Sequence, residues 1–371
     1  MKIALVHDQL QEFGGAERVL IALHDIFPEA PVYTAFINKE TAKRNIKDLN
    51  QWDIRTSWAS RIPFIGKLYS PLRFLAPSIW ESFDFSHYDV VISSSGWYMC
   101  KGIKTPRSTN HISYIHHPPK YLYGYETAVE WQRYPVVKLY ATIVNYFLKK
   151  WDVSSSKRPD ILIANSHETQ RRIKRFYHRD SVVIYPPVEI PNKVSSTKLQ
   201  DSSYYITVSR LGRAKHIDLL IQAANVKKFK LKVVGRGRDL NYLQSLAGES
   251  VEFITDASDQ ERDALLKNAK AFLFASVDEE FGIAPVEAMG FGTPVIAYNS
   301  GGLKETIKQG LNGFLFEELS QESLSIAIDK LEKMSEEKYL RMRLAARTVS
   351  EGYSFERFKR EILSLLPEGA I

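Results

Sequence analysis

Residues 271–305 constrain this chain more than any other stretch. A continuous apolar run from Ala271 to Ala275 leads into Ser-Val-Asp-Glu-Glu-Phe-Gly-Ile-Ala-Pro. A second apolar run, 294–298, then ends in Ser300-Gly301-Gly302. Such short runs bounded by turn signals suit strands covered on both faces, as in a parallel sheet. Pro285 suits the first turn of a helix, where its missing N–H costs nothing. The order is therefore strand, loop, helix, strand, glycine loop, with Glu279 in the loop and Glu287 in the first helical turn. Both carboxylates then lie at the carboxyl edge of a sheet, beside a helix N-terminus whose free N–H groups attract anions. Two acids that bind hydroxyls next to a phosphate cradle suit a nucleotide-sugar. The plainer reading is that they only complement the helix dipole.

The same design recurs along the chain. Residues 2–7 read as a buried strand and 9–17 as a loop holding Gly14 and Gly15. Val19, Leu20, Leu23 and Ile26 then repeat at helical spacing. This is a ligand-facing unit but no dinucleotide fingerprint, since Gly-x-Gly-x-x-Gly is absent. Residues 88–92 form another strand, ending in a small-residue loop at 93–96. Residues 110–115 place His116 just past a strand end, with His117 its rival. Residues 181–188 close the first half, and 191–203 read as a polar linker.

The second half opens with a strand at 204–209. Arg210 and Lys215 then flank a glycine turn, where they can neutralise a diphosphate, and Arg213 is a substitute. Strands follow at 231–234, with Gly235 and Gly237 after it, at 251–254 and at 294–298. Asp259 is the expected cap of the helix through Leu265 and Leu266, and 311–316 is a small apolar element. The expected fold is α/β, with two Rossmann-like doubly wound domains.

At 371 residues the chain has room for two such domains. The single cysteine, Cys100, excludes an internal disulfide and a cysteine-based zinc site. His-Glu-x-x-His and Asp-x-Asp are both absent. No apolar run reaches a membrane span, and the N-terminus reads as a strand, not a signal peptide, which points to the cytoplasm. Charge is uneven: residues 1–190 carry a net +7 and residues 191–371 a net of zero. From Trp52 to Phe85, aromatic residues interleave with Arg55, Arg61, Lys67 and Arg73. That pattern suits contact with the inner face of an anionic membrane, and equally suits helices packed on the sheet with basic tips reaching out.

Glu279 and Glu287 are spaced as Glu-x7-Glu, with Phe281-Gly282 between, and Gly301-Gly302-x-x-Glu305 follows. In this the chain resembles the retaining family-4 glycosyltransferases of GT-B fold, over nearly its whole length. The resemblance implies an N-terminal acceptor-side domain at 1–190, a nucleotide-sugar domain at 204–354, and a last helix, 355–371, that crosses back. It implies that Arg210 and Lys215 hold the donor diphosphate. Glu279, favoured by the family spacing over its neighbour Glu280, would contact sugar hydroxyls and Glu287 the ribose, while Phe281, Gly282, Ile283 and Gly235 complete the donor site. His116 and the Gly14-Gly15 loop would shape the sugar and acceptor side. No metal or other cofactor is expected. The segments around His116 and Tyr185-Pro-Pro-Val look most like the GDP-mannose-dependent mannosyltransferases of polysaccharide assembly. The expected partners are GDP-mannose and a glycan or polyprenyl-diphosphate-linked acceptor, not nucleic acid. A UDP-hexose donor, an epimerase and a non-catalytic scaffold are alternatives on the same fold. A nicotinamide oxidoreductase is disfavoured by the missing fingerprint.

Overall fold

A computed structural model describes residues 1–127, 134–191 and 203–367. Most of the expected linker and the last residues of the C-terminal segment lie outside them. The chain divides into two compact units. The first comprises 1–125, 130–187 and 355–371, and the second 126–129 and 188–354.

Unit 1 runs β1 (Ile3–His7), α1 (Gly15–Ile26), β2 (Val32–Thr34), α2 (Lys39–Asn45), β3 (Ile54–Thr56), α3 (Ile65–Leu68) and α4 (Ala76–Trp80). It continues through β4 (Val90–Ser95), β5 (Asn110–Ile115), α5 (Lys120–Tyr123), α6 (Pro135–Ser155), β6 (Ile161–Ala164), α7 (His167–Tyr177) and β7 (Val182–Val183). Unit 2 holds β8 (Tyr204–Val208), α8 (Ile217–Lys227), β9 (Lys230–Val234), α9 (Leu240–Leu246), β10 (Val251–Ile254), α10 (Asp259–Asn268) and β11 (Ala271–Phe274). It ends with α11 (Ile283–Gly290), β12 (Val295–Tyr298), α12 (Leu303–Thr306), β13 (Gly313–Phe316), α13 (Gln321–Glu332) and α14 (Glu336–Glu351). α15 (Phe355–Leu363) packs Phe358 and Ile362 into the core of unit 1.

Both sheets are parallel throughout, in the orders β3-β2-β1-β4-β5-β6-β7 and β10-β9-β8-β11-β12-β13. The apolar runs are strands buried on both faces, as their lack of polar alternation predicts. Each sheet reverses its winding once, between β1 and β4 in unit 1 and between β8 and β11 in unit 2. In open parallel sheets, ligands bind beyond the carboxyl ends of the strands at such a reversal. His7, Asp8 and Ser94–Gly96 occupy that place in unit 1, and Arg210 and Ser276 in unit 2.

Several local expectations are corrected. Ser93 to Ser95 belong to β4 rather than to a loop, and they are buried with their hydroxyls paired, Ser93 and Ser94 to side chains and Ser95 to the Lys101 N–H. α1 starts at Gly15, earlier than expected. Gly14 before it is extended (φ −165), so its backbone does not demand glycine. Ser258, not Asp259, caps α10, in a reciprocal capping box with Glu261. Residues 311–316 contribute β13, a sixth strand of the sheet. Pro186 and Pro187, which cannot extend a ladder, leave β7 only two residues long.

The serine-rich end of β4 also binds a histidine. Ser93 donates its hydroxyl to Ser113 at 2.7 Å, so it accepts from His111 Nε2, 2.9 Å away. The imidazole thus carries its proton on Nε2. Burial, assisted by Arg158 and Arg179, pushes its pKa down to about 3. In the unfolded chain the same ring takes a proton near the ordinary value of about 6.5. Folding stability from this group is thus complete above pH ~6.5 and falls progressively as pH drops toward 3. A His111→Asn protein, although less stable at neutral pH, is expected to lose less stability between pH 6.5 and 4.5 in urea titrations.

Candidate active site

In unit 2 the site grows from the end of β11. Ser276 follows the strand directly, and Glu279 lies three residues on. The Lys215 ammonium donates to Glu279 Oε2 at 2.6 Å, and the Ser276 hydroxyl donates to the same oxygen at 2.7 Å. Lys215 also lies 3.3 Å from the Ser276 hydroxyl. One carboxylate oxygen thus takes two donors, while the ammonium, with three protons, keeps capacity for an anion. Lys215 sits in a short 3₁₀ turn, 213–215, ahead of α8. The other expected diphosphate ligand, Arg210, is exposed at the end of β8.

The glycine pair explains why the acid loop is held. Gly301 has φ +58, and a Cβ on it would stand 2.0 Å from the Glu279 carbonyl oxygen. A Cβ on Gly302 would stand 2.0 Å from the carbonyl oxygen of Glu280, and the Gly302 N–H donates to the Glu279 carbonyl at 2.8 Å. Ser300 completes the contact, its hydroxyl accepting the Asp278 N–H at 3.0 Å. The two loops therefore pack backbone on backbone, and Gly-Gly is a steric necessity. Gly302→Val must push the Glu279 loop away. We expect it to lose activity at least as completely as removal of the Glu279 side chain, measured as initial rate at saturating substrate.

Gly235 has a similar reason. Its φ is +138, and a Cβ there would meet the Ser209 carbonyl oxygen at 2.0 Å, so glycine lets the β9 loop seat the loop that carries Arg210. Phe281 is buried against Tyr353, with ring centroids 5.2 Å apart, so only its backbone can reach a ligand. Gly282 is the N-cap of α11, and Ile283 its first residue. Glu287 is therefore the fifth residue of α11, in the second turn rather than the first. It is buried and lines a cavity of about 280 Å³ together with Arg262, Asp263, Pro191 and Phe291. Burial works against the charge of Arg262, but Asp263, Glu287 and Asp259 outweigh it and hold its pKa above the ordinary value.

In unit 1, a chain of polar contacts leads from α1 to the expected histidine. Glu17 Oε1 lies 3.5 Å from His7 Nε2, His7 Nδ1 lies 3.0 Å from Ser94 Oγ, and Ser94 Oγ lies 2.7 Å from His116 Nε2. All four side chains are buried. One proton order consistent with these distances has His7 keep Nε2–H toward Glu17, Ser94 donate to His7, and His116 donate from Nε2. His116 then carries an unprotonated Nδ1. Burial, followed by the neighbouring His7 and His117 rings, keeps its pKa well below the ordinary imidazole value. Asp8, in contrast, is committed to the backbone. It accepts the N–H groups of Gly96 and Tyr98, both at 2.8 Å, and of Cys100 at 2.7 Å.

Sequence reasoning passed over His7, Glu17 and Ser94, and over Ser276, Ser300 and Arg262. Ser276 had a usable signal, a polar residue ending an apolar strand three positions before an acid. His7 had the same signal at the end of β1. Ser94 and Arg262 had none, because their partners are remote in sequence. Among the described residues, no cluster of His, Cys, Asp and Glu could hold a metal ion.

Two family models divide the chain at the boundary between the units. Glycosyltransferase Family 4 matches residues 13–190, and Glycosyl transferases group 1 matches residues 189–349. The chain belongs to the family-4 glycosyltransferases. This glycosyltransferase is 26% identical to the human GDP-Man:Man(3)GlcNAc(2)-PP-Dol alpha-1,2-mannosyltransferase, over 98% of its own length and 86% of that protein. It is 23% identical to the alpha-1,3/1,6-mannosyltransferase ALG2 of Rhizomucor pusillus, over 85% of this chain and 80% of that one. Among solved structures, it superposes on Anabaena Alr3699/HepE in complex with UDP with a TM-score of 0.71 at 19% identity, covering 98% and 99% of the two chains. It superposes on WaaG, a glycosyltransferase involved in lipopolysaccharide biosynthesis, with a TM-score of 0.65 at 15% identity, covering 99% and 100%. These likenesses establish the GT-B fold of the enzyme.

Proposed function

We infer that the enzyme transfers mannose from GDP-mannose to a hydroxyl of a polyprenyl-diphosphate-linked glycan, with retention at the anomeric carbon and without a metal ion. The observation that carries this reading is the Lys215–Ser276–Glu279 cluster at the sheet reversal of unit 2. It stands on a fold whose relatives include two named mannosyltransferases, one of them named for GDP-Man and a Man(3)GlcNAc(2)-PP-Dol acceptor.

The chemistry follows from charge. As the bond between the anomeric carbon and the diphosphate oxygen breaks, negative charge grows on the diphosphate and the sugar becomes oxocarbenium-like. Lys215, Arg210 and the N–H groups opening α11 stabilise the leaving diphosphate, the role that an oxyanion site plays elsewhere. The acceptor oxygen bonds to the same face of the anomeric carbon, and its proton passes to the departing diphosphate oxygen. Glu279 orients sugar hydroxyls, and Ser276 and Lys215 fix its rotamer. Glu287 accepts from the ribose hydroxyls. His116, held neutral, offers Nδ1 to an acceptor hydroxyl, and Gly14 and Gly15, at the start of α1, lie on the acceptor side.

Donor choice is tested by thermal shift with GDP, UDP and their mannose and glucose conjugates. Ligand at about 100 times its dissociation constant adds roughly 2.7 kcal/mol to stability. GDP-mannose is expected to raise Tm most. A shift from UDP-hexoses alone would replace mannose as the sugar and leave the transfer chemistry standing.

A further inference from the structure

α6 is apolar on two faces. Ala141 and Leu148 face inward and are buried. Val136, Leu139, Ile143 and Phe147 recur at spacings of three, four and four, which aligns them on one stripe of the helix. They are 81%, 64%, 53% and 64% exposed. A surface helix of a water-soluble unit turns its apolar stripe inward, so a contiguous outward stripe marks a face that something covers.

Segment 58–75 widens the face. The Arg73 guanidinium donates to Asn145 Oδ1 at 3.0 and 3.2 Å and lies over the Tyr140 ring at 5.5 Å, tying the segment to α6. Next to it, Phe74 is half-exposed. Phe64 is 77% exposed and held at φ +58, a left-handed backbone that bulky residues seldom adopt.

Charge selects the occupant. Neither 58–75 nor 134–151 contains an Asp or Glu, whereas Arg61, Lys67, Lys138, Lys149 and Lys150 are all exposed there. The Lys150 ammonium lies 4.2 Å from the centroid of the Tyr146 ring. A second copy meeting this face about a two-fold axis would set the same cations against each other with no carboxylate between them. We propose that the outer face of α6, together with segment 58–75, docks the enzyme on an anionic lipid bilayer. The apolar stripe enters the boundary between headgroups and acyl chains, and the lysines meet lipid phosphates. This deepens the functional reading, in which the acceptor is carried on a lipid.

The test is flotation of the full chain with phosphatidylcholine vesicles, with and without 30% phosphatidylglycerol. We expect binding to the anionic vesicles at least tenfold above the neutral ones. Ile143→Glu with Phe147→Glu should abolish it, and Lys149→Gln with Lys150→Gln should lower it about fivefold per lysine, more at low salt. Both variants should keep the native Tm within a few degrees and the native rate with a water-soluble acceptor. Equal flotation of native and Ile143→Glu/Phe147→Glu proteins would overturn the proposal. So would a native dimer in light scattering that this variant dissociates, with no vesicle binding. Strong flotation of a protein that transfers no sugar to any acceptor would leave the docking face standing and sink the functional reading.

Discussion

Replacing Lys215 or Glu279 by alanine lowers turnover roughly tenfold to a thousandfold, the range for losing one preorganised electrostatic contact. The two substitutions should not add. Lys215 and Glu279 are joined by a 2.6 Å ion pair and share Ser276, so removal of either also releases the other from its position. The double variant is therefore expected to be no slower than the worse single one, by more than a fewfold. kcat and kcat/KM should fall together for Lys215→Ala, because the charge it meets grows as the bond to the diphosphate breaks. A Glu279→Gln protein keeps two hydrogen-bonding positions and should retain more activity than Glu279→Ala. Full additivity, or near-native kcat in both single variants, would contradict this account of the cluster.

The second large effect lies in unit 1. Lys101→Ala is expected to destabilise the protein by about 3–5 kcal/mol, the usual cost of leaving a buried charge without its partner. The Lys101 ammonium pairs with Asp152, and both side chains are shut away from water. The Tyr123 hydroxyl also donates to that carboxylate, at 2.6 Å. Lys101 also faces the ring of Tyr177, 5.0 Å from its centroid. Removing both charges together, as Lys101→Met with Asp152→Leu, should recover most of the loss, because an apolar pair of similar volume owes no desolvation. With two units in the chain, unfolding need not be two-state, so the transition reporting unit 1 should be followed by its buried Trp80. Equal stability of Lys101→Ala and the native protein would contradict this reading of the pair.

What could be read from sequence follows the range of the forces involved. The parallel strands were legible because an apolar run such as Ala271 to Phe274 records burial on both faces within a few residues. The Glu279 loop and the Gly301-Gly302 turn were legible as a pattern, though their reason, backbone packed on backbone, appears only in three dimensions. Helix boundaries misled where two residues competed for one cap, as Ser258 and Asp259 did. Glu287 was misplaced by one turn because Pro285, suited to a first turn, does not say which position of that turn it takes. The chain from Glu17 through His7 and Ser94 to His116 was hidden, since it joins α1, β1, β4 and the end of β5. The outward stripe of α6 was hidden for a different reason. A helix rich in Val, Leu and Tyr reads as core until the exposure of each face is known.

The central claim is that Lys215, Arg210 and the tip of α11, with no divalent ion, draw off the diphosphate of an activated mannose. It is tested most directly by transfer of labelled mannose from GDP-mannose to a polyprenyl-diphosphate-linked glycan in the presence of EDTA. The account predicts an α-mannosylated product at the same rate with and without the chelator, and a loss of at least tenfold in Lys215→Ala. A rate that vanishes in EDTA and returns with magnesium or manganese would contradict it.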